Sequence, residues 1–433
     1  MISITTIASG FVIMLALMFL SMPVAVSILA VGGVGGYLAY GMPLVETMGG
    51  VVWGTLNTSY MTAIPLFMLL GELLLRGGVA DKMYDALAVW LGRLPGGLLH
   101  TNIGTCALFS ATSGSSVATA ATVGTIALPA LKEHNYPVRP ALGTIAAGGT
   151  LGIMIPPSVN LLVYGSLANV SVGQLFVAGL IPGLALTALF SIYVLIAYGK
   201  AGERTAAADI PLEVKLRLLR HLVPPVVIFG IVMGSIYGGL ATPTESAALG
   251  VMAALFFVWK GGHLSHVVVQ NCFIQSARTT GMVILVLVCA LLLNVTLSMT
   301  GGTQAVTRWV SSLGLNQYTL LLLLIVFYVV LGMFMDAMSM LVLTVPIAVP
   351  MVAVLGVDPL WFGIFVVVMC EIALITPPMG MNLFVVQGVR KGGGSFSDVI
   401  WGTFPFVLIM IGFAILLILV PDIALWLPRS MAG

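Results

Sequence analysis

The chain has 433 residues, of which 60% are apolar and only 7% charged, with 16 basic and 14 acidic side chains. A soluble domain carries about 25% charged residues, so this chain cannot supply the charged surface that two or three soluble domains would need. That excludes a soluble globular protein, and a net charge of +2 leaves no electrostatic footprint for nucleic acid.

The apolar runs are continuous rather than alternating, which points to membrane helices and not barrel strands. The first run, 4–20, has no basic n-region and no small-residue cleavage site. It resumes after Ser21-Met22-Pro23 as 24–40, so it reads as a retained first transmembrane segment. Gly32-x-x-x-Gly36 in the second run is a helix-packing motif. Residues 1–50 form an N-terminal scaffold. The run 51–75 follows, and then 79–95, whose Asp81, Lys82, Asp85 and Arg93 alternate with apolar residues, as in an arm lying at the interface.

Two short runs, 98–112 and 116–131, form a hairpin over 98–131. The runs 139–155 and 158–169 meet at Pro156-Pro157 as a broken helix, and 173–198 completes a first repeat over 51–198. The segment 199–221 holds five basic residues (Lys200, Arg204, Lys215, Arg217, Arg220) against three acids, a cytoplasmic linker by the positive-inside rule. Scaffold runs 222–240 and 244–260 follow. The segment 261–278, with His263, His266 and Arg278, reads as a second arm. A second repeat, 279–433, contains the run 280–299, a hairpin over 318–355, a broken helix 359–390 around Pro377-Pro378, and a C-terminal helix 399–420.

The halves match in order. Gly77-Gly78 corresponds to Gly301-Gly302, Ala127-Leu128-Pro129 to Thr344-Val345-Pro346, and Pro156-Pro157 with Asn160 to Pro377-Pro378 with Asn382. An odd number of crossings separates equivalent points, so the repeats are inverted. Inverted repeats with discontinuous helices are the sequence pointer to a secondary transporter with its site near the midplane.

Six of the ten residues from Ser110 to Thr119 carry hydroxyls. At membrane depth they serve either as helix-packing glue or as a re-entrant tip that binds a cation while a half-helix N-terminus faces an anion. The paired prolines favour the second reading, because proline removes a backbone donor and must unwind the helix. Asn160 and Asn382 follow the unwound points, where an amide can cap or coordinate. Glu72, Asp336 and Glu371 are acids in apolar surroundings and hence candidates for function. Glu245, after Thr242 and Thr244, reads as a helix-start residue. Cys106, Cys272, Cys289 and Cys370 read as buried thiols. No HExxH, Walker or serine–histidine pattern supports an enzyme. The hairpins and proline breaks contain no Lys or Arg, so an anionic substrate would need a co-bound cation.

At Ala63-Ile-Pro65 through Gly71-Glu72, Ser110 to Ser116, Ile155-Pro-Pro-Ser158, Ala241-Thr-Pro-Thr-Glu245 and Leu374-Ile-Thr-Pro-Pro-Met-Gly-Met-Asn382, the sequence resembles the large membrane subunit of tripartite ATP-independent periplasmic (TRAP) transporters. The resemblance implies an all-α polytopic elevator transporter of a bacterial inner membrane, driven by sodium (Na+). Its partners would be a small four-helix membrane subunit, a periplasmic substrate-binding protein, an organic-acid substrate such as a sialic acid or C4-dicarboxylate, and membrane lipid. With nothing before Met1, the small subunit is expected as a separate chain.

Carried over, sodium would be held by Ser113, Ser115 and Ser116 with Gly149, Gly152 and Pro156. A second sodium would be held by Asp336 and Ser339 with Thr376, Pro378 and Gly380. The substrate would lie between the tips, at Ser113, Gly114, Ser115, Asn160, Asp336, Met338 and Asn382. The alternatives are a stand-alone cation-coupled dicarboxylate carrier and, in another class, a channel.

Overall fold

The structure is a computed structural model that describes residues 3–199 and 211–432, so the expected linker residues Lys200 and Arg204 lie outside the described residues. Every regular element among the described residues is helical. Among the described residues five helices are long and apolar enough to cross a membrane: Ser59–Arg76, Val172–Tyr198, Leu212–Tyr237, His266–Met299 and Phe396–Leu419.

The first two runs form Ile4–Phe19 and a second helix, Val24–Leu29, whose continuation Ala30–Gly35 widens into a π turn. That turn packs on His266–Met299. A Cβ on Gly32 would lie 3.2 Å from the Leu293 backbone, and Thr296 donates its hydroxyl to the Gly32 carbonyl at 2.9 Å. The small-residue motif therefore serves packing, as its spacing predicts. All four cysteines are buried and free.

Three boundaries need correction. The run 51–75 is not one element: Met42–Leu56 ends at Asn57-Thr58, and Ser59–Arg76 starts afresh. The boundary at residue 50 thus falls inside a helix. The boundary at 278/279 does too, because His266–Met299 is continuous over 34 residues and 266–278 is no separate arm. The helix that resembles the first arm in its start is Gly302–Ser312. Val79–Leu91 and Gly302–Ser312 each follow a left-handed glycine, Gly78 (φ 66°) and Gly301 (φ 78°), a conformation that other residues adopt at a cost. Gly302–Ser312 then meets the next helix at 116°. A further helix, Asp422–Ala432, follows the expected C-terminal one.

Two acids take local roles. Thr242 and Glu245 form a reciprocal capping box at the start of Pro243–Lys260: Glu245 accepts from the Thr242 N–H at 2.8 Å, and Thr242 Oγ1 accepts from the Glu245 N–H at 3.4 Å. Glu72 pairs with Arg76 one turn on, at 2.9 Å.

The hairpins are Leu98–Ser113 with Ser116–Glu133, and Gln317–Gly332 with Ala337–Ala353. The broken helices are Val138–Thr150 with Val159–Ala168, and Pro359–Ile375 with Met381–Val389. These elements interlock. Val159–Ala168 packs on Ala337–Ala353 of the second hairpin, and Met381–Val389 packs on Ser116–Glu133 of the first. In lipid there is little hydrophobic drive between helices, so close approach at small residues does this work. The tightest such contact joins Val138–Thr150 to Phe396–Leu419, where Gly143 faces the Gly402 backbone.

Candidate functional site

The first hairpin turns at Gly114, whose φ of 61° ends the incoming helix. Ser115 is extended and starts the return helix, its hydroxyl accepting from the Ala118 N–H at 3.4 Å. Thr119 donates to the Ser115 carbonyl at 2.7 Å and shares a hydrogen bond with the Ser113 hydroxyl at 3.0 Å. The hydroxyl-rich tip is thus held by its own side chains, while the buried Ser110 hydroxyl has no partner among the described residues.

The first broken helix narrows to a 3-10 turn at Leu151–Ile153 before Pro156-Pro157. Neither proline has an N–H, so carbonyls of the preceding turn lose their helical donors. One is recovered: Ser158 donates to the Ile153 carbonyl at 2.5 Å while capping the next half-helix through the Leu161 N–H at 3.4 Å. Ser158, and not Asn160, is the cap.

Glycines bring tip and break into backbone contact. A Cβ on Gly152 would lie 2.7 Å from the Ser115 carbonyl carbon and oxygen, and one on Gly114 2.9 Å from the Pro157 carbonyl oxygen. A Cβ on Gly71 of Ser59–Arg76 would lie 2.7 Å from the Ser113 carbonyl oxygen, and one on Gly149 2.7 Å from Ala120. These contacts bring Ser113, Gly114, Ser115 and Ser116 of the tip against Gly71, Gly152, Pro157 and Ser158, with Gly149 against Ala120 of the return helix; Pro156 and Asn160 lie in the same break by chain position, and Ser113 and Asn160 are each only 5% exposed.

The second cluster is built differently. Its return helix is capped by Asp336, which accepts from the Met338 and Ser339 N–H groups at 3.0 and 3.2 Å and from the Ser339 hydroxyl. Thr376 donates to the Ile372 carbonyl at 2.6 Å, and the Gly380 N–H donates to the Thr376 carbonyl at 3.1 Å. Cys370 donates to the Ala337 carbonyl at 3.4 Å, fixing tip to broken helix. Asp336 and Pro378 are exposed, and Pro378 lines a cavity of about 280 Å³ with Met379, Phe334, Met335 and the Leu15–Met18 side of the first helix. So the first cluster is enclosed and the second is open.

Asn382 links the two, donating to the Ala146 carbonyl of the first broken helix at 3.1 Å. No hydrogen bond or ion pair joins the two tips directly among the described residues, so it is this interlocked packing that holds the two clusters together. Asn160 Nδ2, Asn382 Oδ1 and both carboxylate oxygens of Glu371 are buried without a partner among the described residues. Buried polar groups are normally satisfied. A donor on one asparagine and an acceptor on the other suit an anion and a cation. Hard oxygen ligands at the tips, cradles that leave no room for a Cβ, and, among the described residues, the lack of any ion pair at either cluster are consistent with that division. Thr119, Ser158 and Gly71 join the tip and the break only in three dimensions. Thr119 sits in the hydroxyl-rich run and Gly71 in the Gly71-Glu72 motif, but only tertiary contact shows their parts.

Residues 11–423 match the family described as "Tripartite ATP-independent periplasmic transporter, DctM component". The chain belongs to this family. It is 34% identical over 372 residues to the C4-dicarboxylate TRAP transporter large permease protein DctM of Pseudomonas aeruginosa, covering 85% of this chain and 86% of that one. It is 32% identical over 420 residues to the isethionate TRAP transporter permease protein DctMQ of Oleidesulfovibrio alaskensis, covering 95% of this chain and 64% of that one. In fold it is similar to the Alcanivorax borkumensis YdaH transporter, with a TM-score of 0.65, 15% identity, and 96% and 98% of the two chains covered. As a TRAP large permease it is a multi-pass membrane component of a transporter and not an enzyme.

Proposed function

We propose that the chain is the sodium-coupled permease of an organic-acid uptake system in a bacterial inner membrane. A periplasmic protein would deliver the substrate and a small membrane subunit would complete the complex. The observation that carries this reading is the enclosed first cluster: among the described residues, glycine-to-backbone contacts close the hydroxyl-rich tip onto the proline break, and Asn160, two residues past the capping Ser158, has a buried amide nitrogen without a partner.

Inverted repeats are supported by where the hairpins open. At the first hairpin's open end, Tyr136 accepts from the Leu98 N–H at 3.1 Å, and Gly199 lies against Pro95 where the basic linker begins. Arg139, just past this hairpin, pairs with Asp398 at the start of Phe396–Leu419. Gln317 and Asp358, at the open end of the second hairpin, share a cavity with Ile418 and Pro421 at the other end of that same helix. Twenty-four residues of helix span about 36 Å. Two hairpins entering from opposite ends, with broken helices crossing between them, suit an elevator in which this interlocked part moves against the scaffold.

An acid entering a site without Lys or Arg needs a positive partner at low dielectric. Sodium held by Ser113, Ser115 and Ser116 with the carbonyls around Gly152 and Pro156 would provide it, and the Asn160 amide would donate to the carboxylate. The second cluster, with Asp336, Ser339, Thr376, Pro378 and Gly380, would hold a further sodium. Met338 and Asn382 would line the substrate's other side. Each ligand would then aid the other by about 1–3 kcal/mol, as linkage requires.

The test is uptake into proteoliposomes with the partner subunit, across a sodium series, with and without the binding protein. Uptake is expected to need sodium, to ignore potassium and a proton gradient, and to need the binding protein. Uptake that ran equally well in potassium would overturn the sodium reading. Uptake independent of the binding protein would favour the stand-alone carrier.

A further inference from the structure

The return helix of the first hairpin, the start of the first broken helix and the end of the second line an open cavity of about 500 Å³. Its wall is apolar, built from Leu128, Leu131, Leu142 and Val389, and its rim carries Lys132 and Lys391. The rim loop runs through Gly392, Gly393 and Gly394 at φ of 98°, 73° and 137°, conformations that favour glycine. Arg390 is held inside this loop: its guanidinium bonds to Asp398 at 3.3 Å and to the Ser395 carbonyl at 3.3 Å, and it fills the space a Gly394 side chain would need. Arg139 reaches the other oxygen of Asp398 at 3.4 Å.

One carboxylate therefore answers two arginines, and the two lysines are left over. Among the described residues neither the Lys132 nor the Lys391 ammonium has an ion pair or a hydrogen bond. The Lys132 ammonium leans over the loop, 4.0 Å from where a Gly392 Cβ would stand. Among the described residues the Gly392 and Gly393 N–H groups also have no partner. Successive free N–H groups in such a turn make a concavity suited to an anion.

Location and wall decide what kind of anion. The cavity lies at the end of the molecule where the basic linker begins, since Tyr136, which lines it, also bonds the first hairpin's open end. By the positive-inside rule this is the cytoplasmic side. Val138, on the cavity's edge, is 48% exposed, so an apolar surface continues outward from the rim. A soluble phosphate has no use for such a wall, whereas an acyl chain does. We propose that this pocket binds an anionic phospholipid, its phosphate between Lys132, Lys391 and the glycine loop and its chain along Leu128, Leu142 and Val389. Basic pockets between helices on the cytoplasmic face take headgroups of this kind. The lipid would bridge the first hairpin to the second broken helix, tying the two halves together beneath the site.

The test is lipid binding to the full chain in mild detergent, read by native mass spectrometry with phosphatidylglycerol and phosphatidylethanolamine. Phosphatidylglycerol is expected to be retained in preference. Lys132→Gln and Lys391→Gln should each weaken it about 5-fold and together about 25-fold. Lys82→Gln with Lys260→Gln, elsewhere on the basic end, should not weaken it. A Lys132/Lys391 double variant that binds as the unmodified chain does, or a control that loses as much, would overturn the site. Displacement of the lipid by glycerol phosphate would assign the pocket to a soluble phosphate instead. In the unmodified chain, phosphatidylglycerol should also protect both lysines from amine acylation; equal labelling with and without it contradicts the proposal even if the variants misfold.

Discussion

Gly152→Ala is expected to abolish uptake while the protein still inserts and folds. The added Cβ would stand 2.7 Å from the Ser115 carbonyl and 2.8 Å from the Ser116 nitrogen. Both are backbone atoms, so no side-chain rotation relieves the contact and the tip itself must move. Overpacking of this kind costs about 1–3 kcal/mol, which a chain of this size can absorb. Its function cannot, because a binding constellation must hold within about 0.5 Å. Gly281→Ala is the control, since nothing lies within 4 Å of that Cβ. Uptake and size-exclusion profile, measured together, separate loss of site from loss of fold. Full uptake by Gly152→Ala would mean that the tip-to-break contact has no part in transport.

Gly402→Leu is expected to act on the fold instead. A Cβ there would lie 2.1 Å from the Arg139 carbonyl oxygen, and one on Gly143 lies 2.1 Å from the Gly402 carbonyl oxygen. Two helices cross here with no side chain between them, the geometry by which small residues hold membrane helices together. A leucine would drive Phe396–Leu419 off Val138–Thr150, at the upper end of overpacking costs, about 3 kcal/mol. The prediction is a sharp fall in detergent-solubilised yield and in melting temperature, with any surviving protein less active. An unchanged melting curve would show that this crossing is loose.

Much of this architecture is legible in the residues. Pro156-Pro157 and Pro377-Pro378 mark the breaks because proline's missing N–H acts locally, and a run of hydroxyls at membrane depth marks the first tip for a similar reason. The hairpin limits fall within a few residues of their expected positions, since Gly114 and Asp336 end and start helices by short-range chemistry. What sequence reading gets wrong depends on tertiary contact. His263, His266 and Arg278 give 261–278 the polarity of an arm, yet the helix from His266 simply continues into an apolar stretch. The helix that starts as the first arm does, Gly302–Ser312, is marked by Gly301, which the sequence matches to Gly77-Gly78. Thr119, Gly71 and the pairing of Asn382 with Ala146 become visible only when distant segments meet. Glu371 stays an isolated buried carboxylate on either view.

The central claim is that the first hairpin tip and the first broken helix form a sodium site, and direct sodium binding tests it. Radioactive sodium binding to the purified chain should saturate. Ser116→Ala and Asn160→Leu should be compared with it, Asn160→Leu also in the presence of substrate. Ser116→Ala is expected to raise the sodium dissociation constant about tenfold, or about 1.4 kcal/mol. Asn160→Leu should leave sodium binding alone largely intact but remove its strengthening by substrate. Unchanged sodium affinity in Ser116→Ala, together with unchanged substrate coupling in Asn160→Leu, would contradict the placement of the site.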